Sequence, residues 1–421
     1  MLSRLTVFLL AVSLSPPDAT VAQVVPAAAP TAPDVTNAGL TTLPLDAALA
    51  LARRHAPAIR AAEARALAEA EVADASQAWR SPTVDLSLEN LGPQGLDRDG
   101  FVWFTQPLDI GARRSTRITA ARASHDFLAR QVEAARRHVD VAVVDAYLAV
   151  VRARRASELL AAHERSIDEV VRLVERRVGE GVSPEGDLRK LEAERGRTRV
   201  ARVRLDLEQQ HHALTLGFLT GVTDSALASR VLMPPAPPVT ATDIEAAIER
   251  RADVLAAAAR VDERRTAAAA DRALGSTAIA AMGGYKRTSG FNTGTIGVSI
   301  DLPIGVRNAP ARIRAEADVT AATLELEQAR ALARVDIEQA LLAVRVLTTQ
   351  AARVADDLVT PAEIARRAAQ AAFREGTGDA LAVVDADRVY LDTQREALAL
   401  QLDAAAASIR ARLALGEDPV P

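Results

Sequence analysis

The chain has 421 residues, carries 51 basic against 55 acidic side chains for a formal net charge of -4, and contains no cysteine. Interspersed charge of this balance gives no reason to expect a nucleic-acid partner, and the absent cysteines exclude disulfides, thiolate metal sites and the residue on which a lipoprotein anchor is built. Hydrophobic residues make up 49% but aromatic ones only 3%, a bias toward long, closely packed helices rather than a thick globular core.

Residues 1–22 read as an export signal: Arg4 precedes the apolar run Leu5 to Leu14, and Thr20-Val21-Ala22 supplies small residues for cleavage. Residues 23–44, rich in Ala, Pro and Thr, read as an extended tail. No later stretch reaches the roughly 18 apolar residues of a spanning helix, so any membrane contact must be made by strands or by a surface.

A first repeat covers 45–220. Its opening helix is predicted from Asp46, a suitable N-cap, to about Trp79, where Ser81-Pro82 stops it. A β-hairpin is predicted over 82–110, because Val84, Leu86 and Leu88 alternate with Asp85, Ser87 and Glu89 and turn-rich sequence follows from Gly92 to Asp99. The next helix, 113–178, would span roughly 100 Å. Val132, Val139 and Ala146 form one seven-residue seam along it and Leu160, Ile167 and Val174 another, which predicts neighbours on both sides. A tip turn at 179–187 leads into a helix ending near 218, and a Pro-rich linker occupies 221–242.

The second repeat, 243–416, follows the same plan. A helix to about Leu274 precedes a hairpin over 277–304, in which Ile296, Val298, Ile300 and Leu302 alternate with Gly297, Ser299 and Asp301. A long helix at 310–375 should kink at Pro361; a tip turn at 376–381 and a helix to 415 complete the unit, with a short tail at 417–421. Gln106-Pro107-Leu108-Asp109-Ile110-Gly111-Ala112-Arg113 is echoed by Ile300-Asp301-Leu302-Pro303-Ile304-Gly305-Val306-Arg307, so one unit of about 190 residues has been copied in tandem.

The strands admit two readings. Soluble hairpins capping a helical bundle would satisfy the alternation alone. Trp79, Phe101, Trp103, Phe104, Tyr285 and Phe291, in or beside the strands, instead favour a bilayer interface. Arg113, Arg114 and Arg307 stand at helix starts, where the macrodipole disfavours cations; lipid head groups or plain solvent would have to compensate them. Four strands cannot close a barrel, which starts at about eight, and an open edge is not tolerated in lipid, so the membrane reading requires strands from other copies.

The duplicated units, the two strand exits, and the glycine-bearing turns followed by Leu191-Glu192-Ala193-Glu194 and Val384-Asp385-Ala386-Asp387 together resemble the TolC-like outer membrane efflux protein family, over about Leu43 to Gly416. The resemblance implies a mainly α fold with a small β part: long-helix coiled-coil hairpins and four transmembrane strands per chain, completed in a homotrimer as a twelve-stranded barrel above a periplasmic α-helical tunnel. Implied partners are a periplasmic adaptor (membrane fusion protein), an inner-membrane pump of the resistance-nodulation-division type, and lipid of a Gram-negative outer membrane. Leu108 to Arg114 looks most like heavy-metal efflux members of the cobalt-zinc-cadmium type. A type I secretion or drug-efflux duct, or a soluble periplasmic scaffold, stays open.

By the same resemblance the function is passive conduction through a lumen lined by Asp85, Ser87, Glu89, Ser299 and Asp301. Gly179, Gly181, Ser183, Pro184, Gly186 and Asp187, with Gly376, Gly378 and Asp379, would form the tip that meets the adaptor. Trp79, Trp103, Phe104, Tyr285, Arg113 and Arg307 would border the bilayer. Asp385 falls at an entrance constriction, although Ala382 stands where some relatives carry a second acid. Three such aspartates would attract cations; an aspartate near a helix start also suits the macrodipole.

Other chemistry has little support. His55, His125, His138, His163, His211 and His212 are scattered, no two at the i, i+4 spacing of a metalloprotease, and no nucleophile elbow or phosphate-cradling loop occurs. The expectation is no catalysis, no cofactor and no resident metal.

Overall fold

The computed structural model describes residues 42–89, 99–222, 227–232, 234, 237, 239, 243–288, 291–301 and 309–420. The expected export signal, nearly all of the 23–44 tail, the turn of the first hairpin, much of the linker, and the second strand exit with Arg307 lie outside the described residues.

Both repeats open with a broken helix, where the alanine pattern predicts a continuous one. In the first, α1 (Leu45–His55) and α2 (Pro57–Ala75) are separated by Ala56 at ψ 121°. A proline ring disfavours the helical region for the residue before it, yet suits the first position of the helix that follows. The second repeat, reached through the short helix α5 (Leu227–Arg230), breaks without a proline, between α6 (Ile244–Arg250) and α7 (Ala252–Leu274), with Arg251 at ψ 136°. Here the Arg251 guanidinium grips Asp253 at 3.0 and 2.7 Å across the bend.

The strands are β1 (Thr83–Glu89), β2 (Asp99–Leu108), β3 (Ala278–Thr288) and β4 (Phe291–Asp301), all antiparallel in the order β1-β2-β3-β4. The two hairpins thus join through β2 and β3, with Phe104 opposite Gly283 and Val102 opposite Tyr285. Among the described residues β1 and β4 are hydrogen-bonded on one side only.

From the sheet descends α3 (Ala112–Gly179), 68 residues and so about 100 Å long, and α4 (Glu185–Thr220) returns along it. The second hairpin pairs α8 (Ala309–Val354) and α9 (Thr360–Arg374) with α10 (Ala380–Ala414). Pro361 distorts the long helix as expected, in the form of a π-helical segment, Ala355–Val359, and the Thr360 hydroxyl donates to the Ala355 carbonyl at 3.0 Å. Side by side, α3 lies between α4 on one flank and α7 and α10 on the other, with α8 packed on both of these.

All six residues of the predicted heptad seams are buried. Val139, Val143 and Tyr147 pack with Leu45 and Leu49 of α1, Leu216 of α4, and Leu402 and Ile409 of α10. Ile167, Val171 and Val174 pack with Leu191, Phe373, Ala380 and Val383, where the two hairpin tips meet. Tyr147, fully buried, carries its hydroxyl to the chain entering the first repeat and the chain leaving it: 2.9 Å from the Leu43 carbonyl and 2.8 Å from that of Leu232. It also accepts the Leu232 N–H at 3.1 Å. Tyr147→Phe removes the tie between the two segments, leaves the buried Leu43 carbonyl without that partner and is expected to cost about 1–3 kcal/mol. A lowered melting midpoint in detergent is the readout; an unchanged midpoint would make the clamp idle.

Candidate functional site

Pairing register divides the sheet into two faces. Val84, Leu86, Leu88, Val102, Phe104, Tyr285, Ile296, Val298 and Ile300 share one face, and all are exposed, Ile296 to 94%. Asp85, Ser87, Glu89, Ser299 and Asp301, the predicted wet residues, share the other with Thr293, Thr295 and Lys286. Among the described residues nothing covers this apolar face.

Trp103 and Phe104 are grouped together by the sequence reading, but adjacent strand residues point to opposite faces. Phe104 is 47% exposed on the apolar face, with Tyr285 at 47%. Trp103 instead lies on the polar face over Gly284, so closely that a Cβ there would come within 2.5 Å of the indole. Lys286 stands 4.9 Å over the neighbouring Phe101 ring. Trp79, 62% exposed between α2 and β1, has the Arg114 guanidinium 5.6 Å above its ring.

The arginines at the first strand exit need neither lipid nor solvent as their principal compensation. Arg113 donates to the Leu274 carbonyl at 2.9 Å and to that of Ser276, both at the end of α7. Arg114 donates to Gln77 at 2.7 Å, and Arg117 to Ser76 and Ala78 at 3.2 and 3.1 Å, just past α2. Cations poorly suited to the start of α3 therefore serve the carbonyl-rich ends of two other helices. Arg117 also pairs at 2.6 Å with Asp109, which is nearly fully buried.

At the far end the two tips are built alike. The N–H of Val182 reaches the Arg177 carbonyl and that of Gly181 the Val178 carbonyl; Thr377 to Ala372 and Gly376 to Phe373 repeat the pattern. Gly181 and Gly376 take φ 70° and 81°, left-handed values open to glycine at little cost. A Cβ on Gly378 would press to 3.0 Å on the Ala372 and Phe373 backbone. Gly179 and Gly186 are helical with open space around them, so the turn itself does not require them. Ser183 is half-buried, Pro184 immediately precedes α4, Asp187 lies 3.8 Å from Lys190, and Asp379 caps α10 through the Leu381 N–H at 3.3 Å. Arg177 clamps the tips together, its guanidinium 4.3 Å over the Phe373 ring and 2.9 Å from the Phe373 carbonyl.

Above the tips, Asp385 is exposed and Asp387 buried. Asp385 lies in the second turn of α10, past the region where the macrodipole favours an acid most. Asp387 accepts from Ser166 of α3 at 3.0 Å and Gln370 of α9 at 3.3 Å, while Glu194 of α4 pairs with Arg388 of α10 at 2.7 Å. Asp385 stands out in the sequence and these ties do not, although Glu194 and Asp387 occupy parallel positions in the two repeats. Among the described residues no cluster of acids and histidines could hold a metal ion.

Sheet, first strand exit and paired tips are those of an outer membrane channel of TolC-like fold. The chain belongs to the outer membrane efflux protein family, whose model matches residues 48–222 and 244–417, one match per repeat. No curated protein matches the chain. Among solved structures it is similar to the outer membrane protein VceC from Vibrio cholerae, at TM-score 0.75 and 22% identity over 89% of this chain and 96% of that one. CusC aligns at TM-score 0.76 with 18% identity, over 89% of this chain and 92% of that one. The open-state MtrE outer membrane channel of Neisseria gonorrhoeae aligns at TM-score 0.73 and 18% identity, over 89% of each chain.

His163 of α3 is buried where the hairpins meet, and burial lowers its imidazole pKa below 6.5 against the pull of Asp387, Glu194 and Asp392. The folded chain thus holds the proton less tightly than the unfolded one. Its stability is intact above pH 6.5 and falls as the pH drops below that value. His163→Gln is expected to lose less of its melting midpoint than the parent between about pH 7.5 and pH 5. Equal losses in the two proteins would take His163 out of the account.

Proposed function

We propose that the chain is one protomer of a homotrimeric duct in a Gram-negative outer membrane, fed by a periplasmic adaptor and an inner-membrane resistance-nodulation-division pump. It conducts passively, the energy coming from the pump. The observation that carries this reading is that, among the described residues, the chain has the same two open sides at every level. One is bordered by β1, α2 and α4, the other by β4, α8 and α9.

Exposed apolar residues follow both sides: Leu67, Val72, Val203, Leu207, Leu214 and Phe218 on the first, and Leu324, Leu332, Val335, Leu342, Val346 and Ile364 on the second. Val200, Val203, Leu207 and Leu214 keep the three-four spacing of a coiled-coil seam. Because the sides differ, copies add head to tail, and such a contact makes a ring when its rotation closes. Three copies supply twelve strands, more than the roughly eight of the smallest bacterial outer-membrane barrels, and leave no edge to lipid. The exposed apolar face would then meet the bilayer, and Asp85, Glu89 and Asp301 the lumen.

The chain has no cysteine of its own, so the seam can be tested directly. Helix rise from the two tips sets Leu214 of α4 level with Val346 of α8 to within about one turn. Oxidising a chain carrying Leu214→Cys and Val346→Cys together should give a ladder ending at three chains, while either substitution alone should give none. A ladder stopping at two, or running past three, would sink the trimer.

Heavy-metal cations are the proposed cargo, because carboxylates occupy both the wet face of the sheet and, through Asp385, the approach to the tip. Gly179 and Gly186, which the turns do not need, suit close approach of an adaptor backbone. Asp385→Ala is expected to weaken block of the channel by multivalent cations about tenfold or more in planar bilayers. Undiminished block would leave Asp385 without a part in cation entry.

A further inference from the structure

Between the end of α1 and the start of α7, over the flank of α3, the surface sinks into an open depression of about 590 Å³. Arg53, Arg54, Arg130, Arg136, Arg137 and Arg250 line it, against the carboxylates of Glu133, Asp140 and Asp418. A chain with a net charge of -4 has gathered an excess of cations in one hollow.

The acids there are already engaged. Asp140, almost wholly buried, takes both arms of Arg53 at 2.9 and 2.8 Å. Arg136 holds Glu133 and, from α2, Glu63, each at 2.8 Å. The guanidinium groups of Arg54, Arg130 and Arg250 have no hydrogen bond or ion pair among the described residues.

The occupant's chemistry is indicated by what the hollow already holds, which is the chain's own acidic end. Asp418 lies 3.1 Å from Arg53, the Gly416 and Glu417 carbonyls are bonded by Arg137, and the Asp418 carbonyl accepts from Arg412 at 2.7 Å. Side-chain carboxylate and main-chain carbonyls are thus gripped at one border, and three guanidinium groups elsewhere in the hollow are left unmatched. Guanidinium forks suit carboxylates held two-pronged.

We propose that this hollow docks an acidic, extended segment of a partner protein, its carboxylates seated on Arg54, Arg130 and Arg250 beside the chain's own Asp418. Arg130 stands about 27 Å along α3 from the sheet, beyond reach of head groups bordering the strands. The hollow also lies between α1 and α7, away from the α4 and α8 sides that a sister copy would cover.

The test titrates labelled hexaglutamate peptide into the full chain purified in detergent, at low salt and at about 150 mM salt. Saturable binding is expected, weaker at the higher salt, and reduced about tenfold or more by Arg54→Gln, Arg130→Gln and Arg250→Gln combined. That triple variant should melt no lower than the parent, because mutually repelling charges have gone and no internal contact is lost. If it fails to fold, the corresponding triple lysine variant, which keeps charge but loses the fork, should bind the peptide more weakly than the parent. Unchanged binding in either variant, equal binding of a hexaglutamine peptide, or tighter binding of tripolyphosphate than of hexaglutamate overturns the proposal. The disulfide ladder of the Leu214→Cys, Val346→Cys chain reports ring assembly separately, so a failed docking site and a failed duct give different results.

Discussion

A β-strand carries hydrogen-bonding groups along both of its edges, and β1 and β4 each have a described neighbour on only one. The rest of the chain is arranged around that incompleteness. Strands so exposed, with Val84, Leu86, Ile296 and Val298 turned outward, are viable in lipid only when every edge is paired. The helices below are incomplete in the same direction. Apolar side chains are buried where α3 meets its neighbours and uncovered along the outer sides of α4 and α8. Tandem duplication accounts for this economically, since each copied unit brings a hairpin and a helical pair that need company on both flanks.

Much of this was legible in the sequence because it depends on period. Period-two alternation located β1 and β4, seven-residue spacing located the seams of α3, and the repeated strand exit announced the duplication. The same period-two rule, applied residue by residue, would have separated Trp103 from Phe104. What remained hidden depends on contacts distant in sequence. Arg113 looked misplaced at the start of α3 because its partners, at the end of α7, lie more than 150 residues away. Tyr147 resembled any apolar-seam residue until the chain at Leu43 and Leu232 was seen to converge on its hydroxyl.

The two helix breaks illustrate a middle case. Pro57 announces the first, since a proline restricts the residue before it. Nothing comparable announces the second, where Arg251 and Asp253 do with charge what the first repeat does with a ring. Duplication preserved the bend while its chemistry diverged. The tips kept their chemistry: Gly181 and Gly376 occupy equivalent left-handed positions, and equivalent hydrogen bonds close both turns. Close to them, Asp387 and Glu194 tie α10 to the other helices where the hairpins converge.

The π-helical segment before Pro361 makes the two copies mechanically unequal. The first has a single regular rod, α3, from sheet to tip, while its counterpart is interrupted about three-quarters of the way down. A helix bends most readily where its hydrogen-bond ladder is interrupted, so bending of the second rod concentrates at that one height.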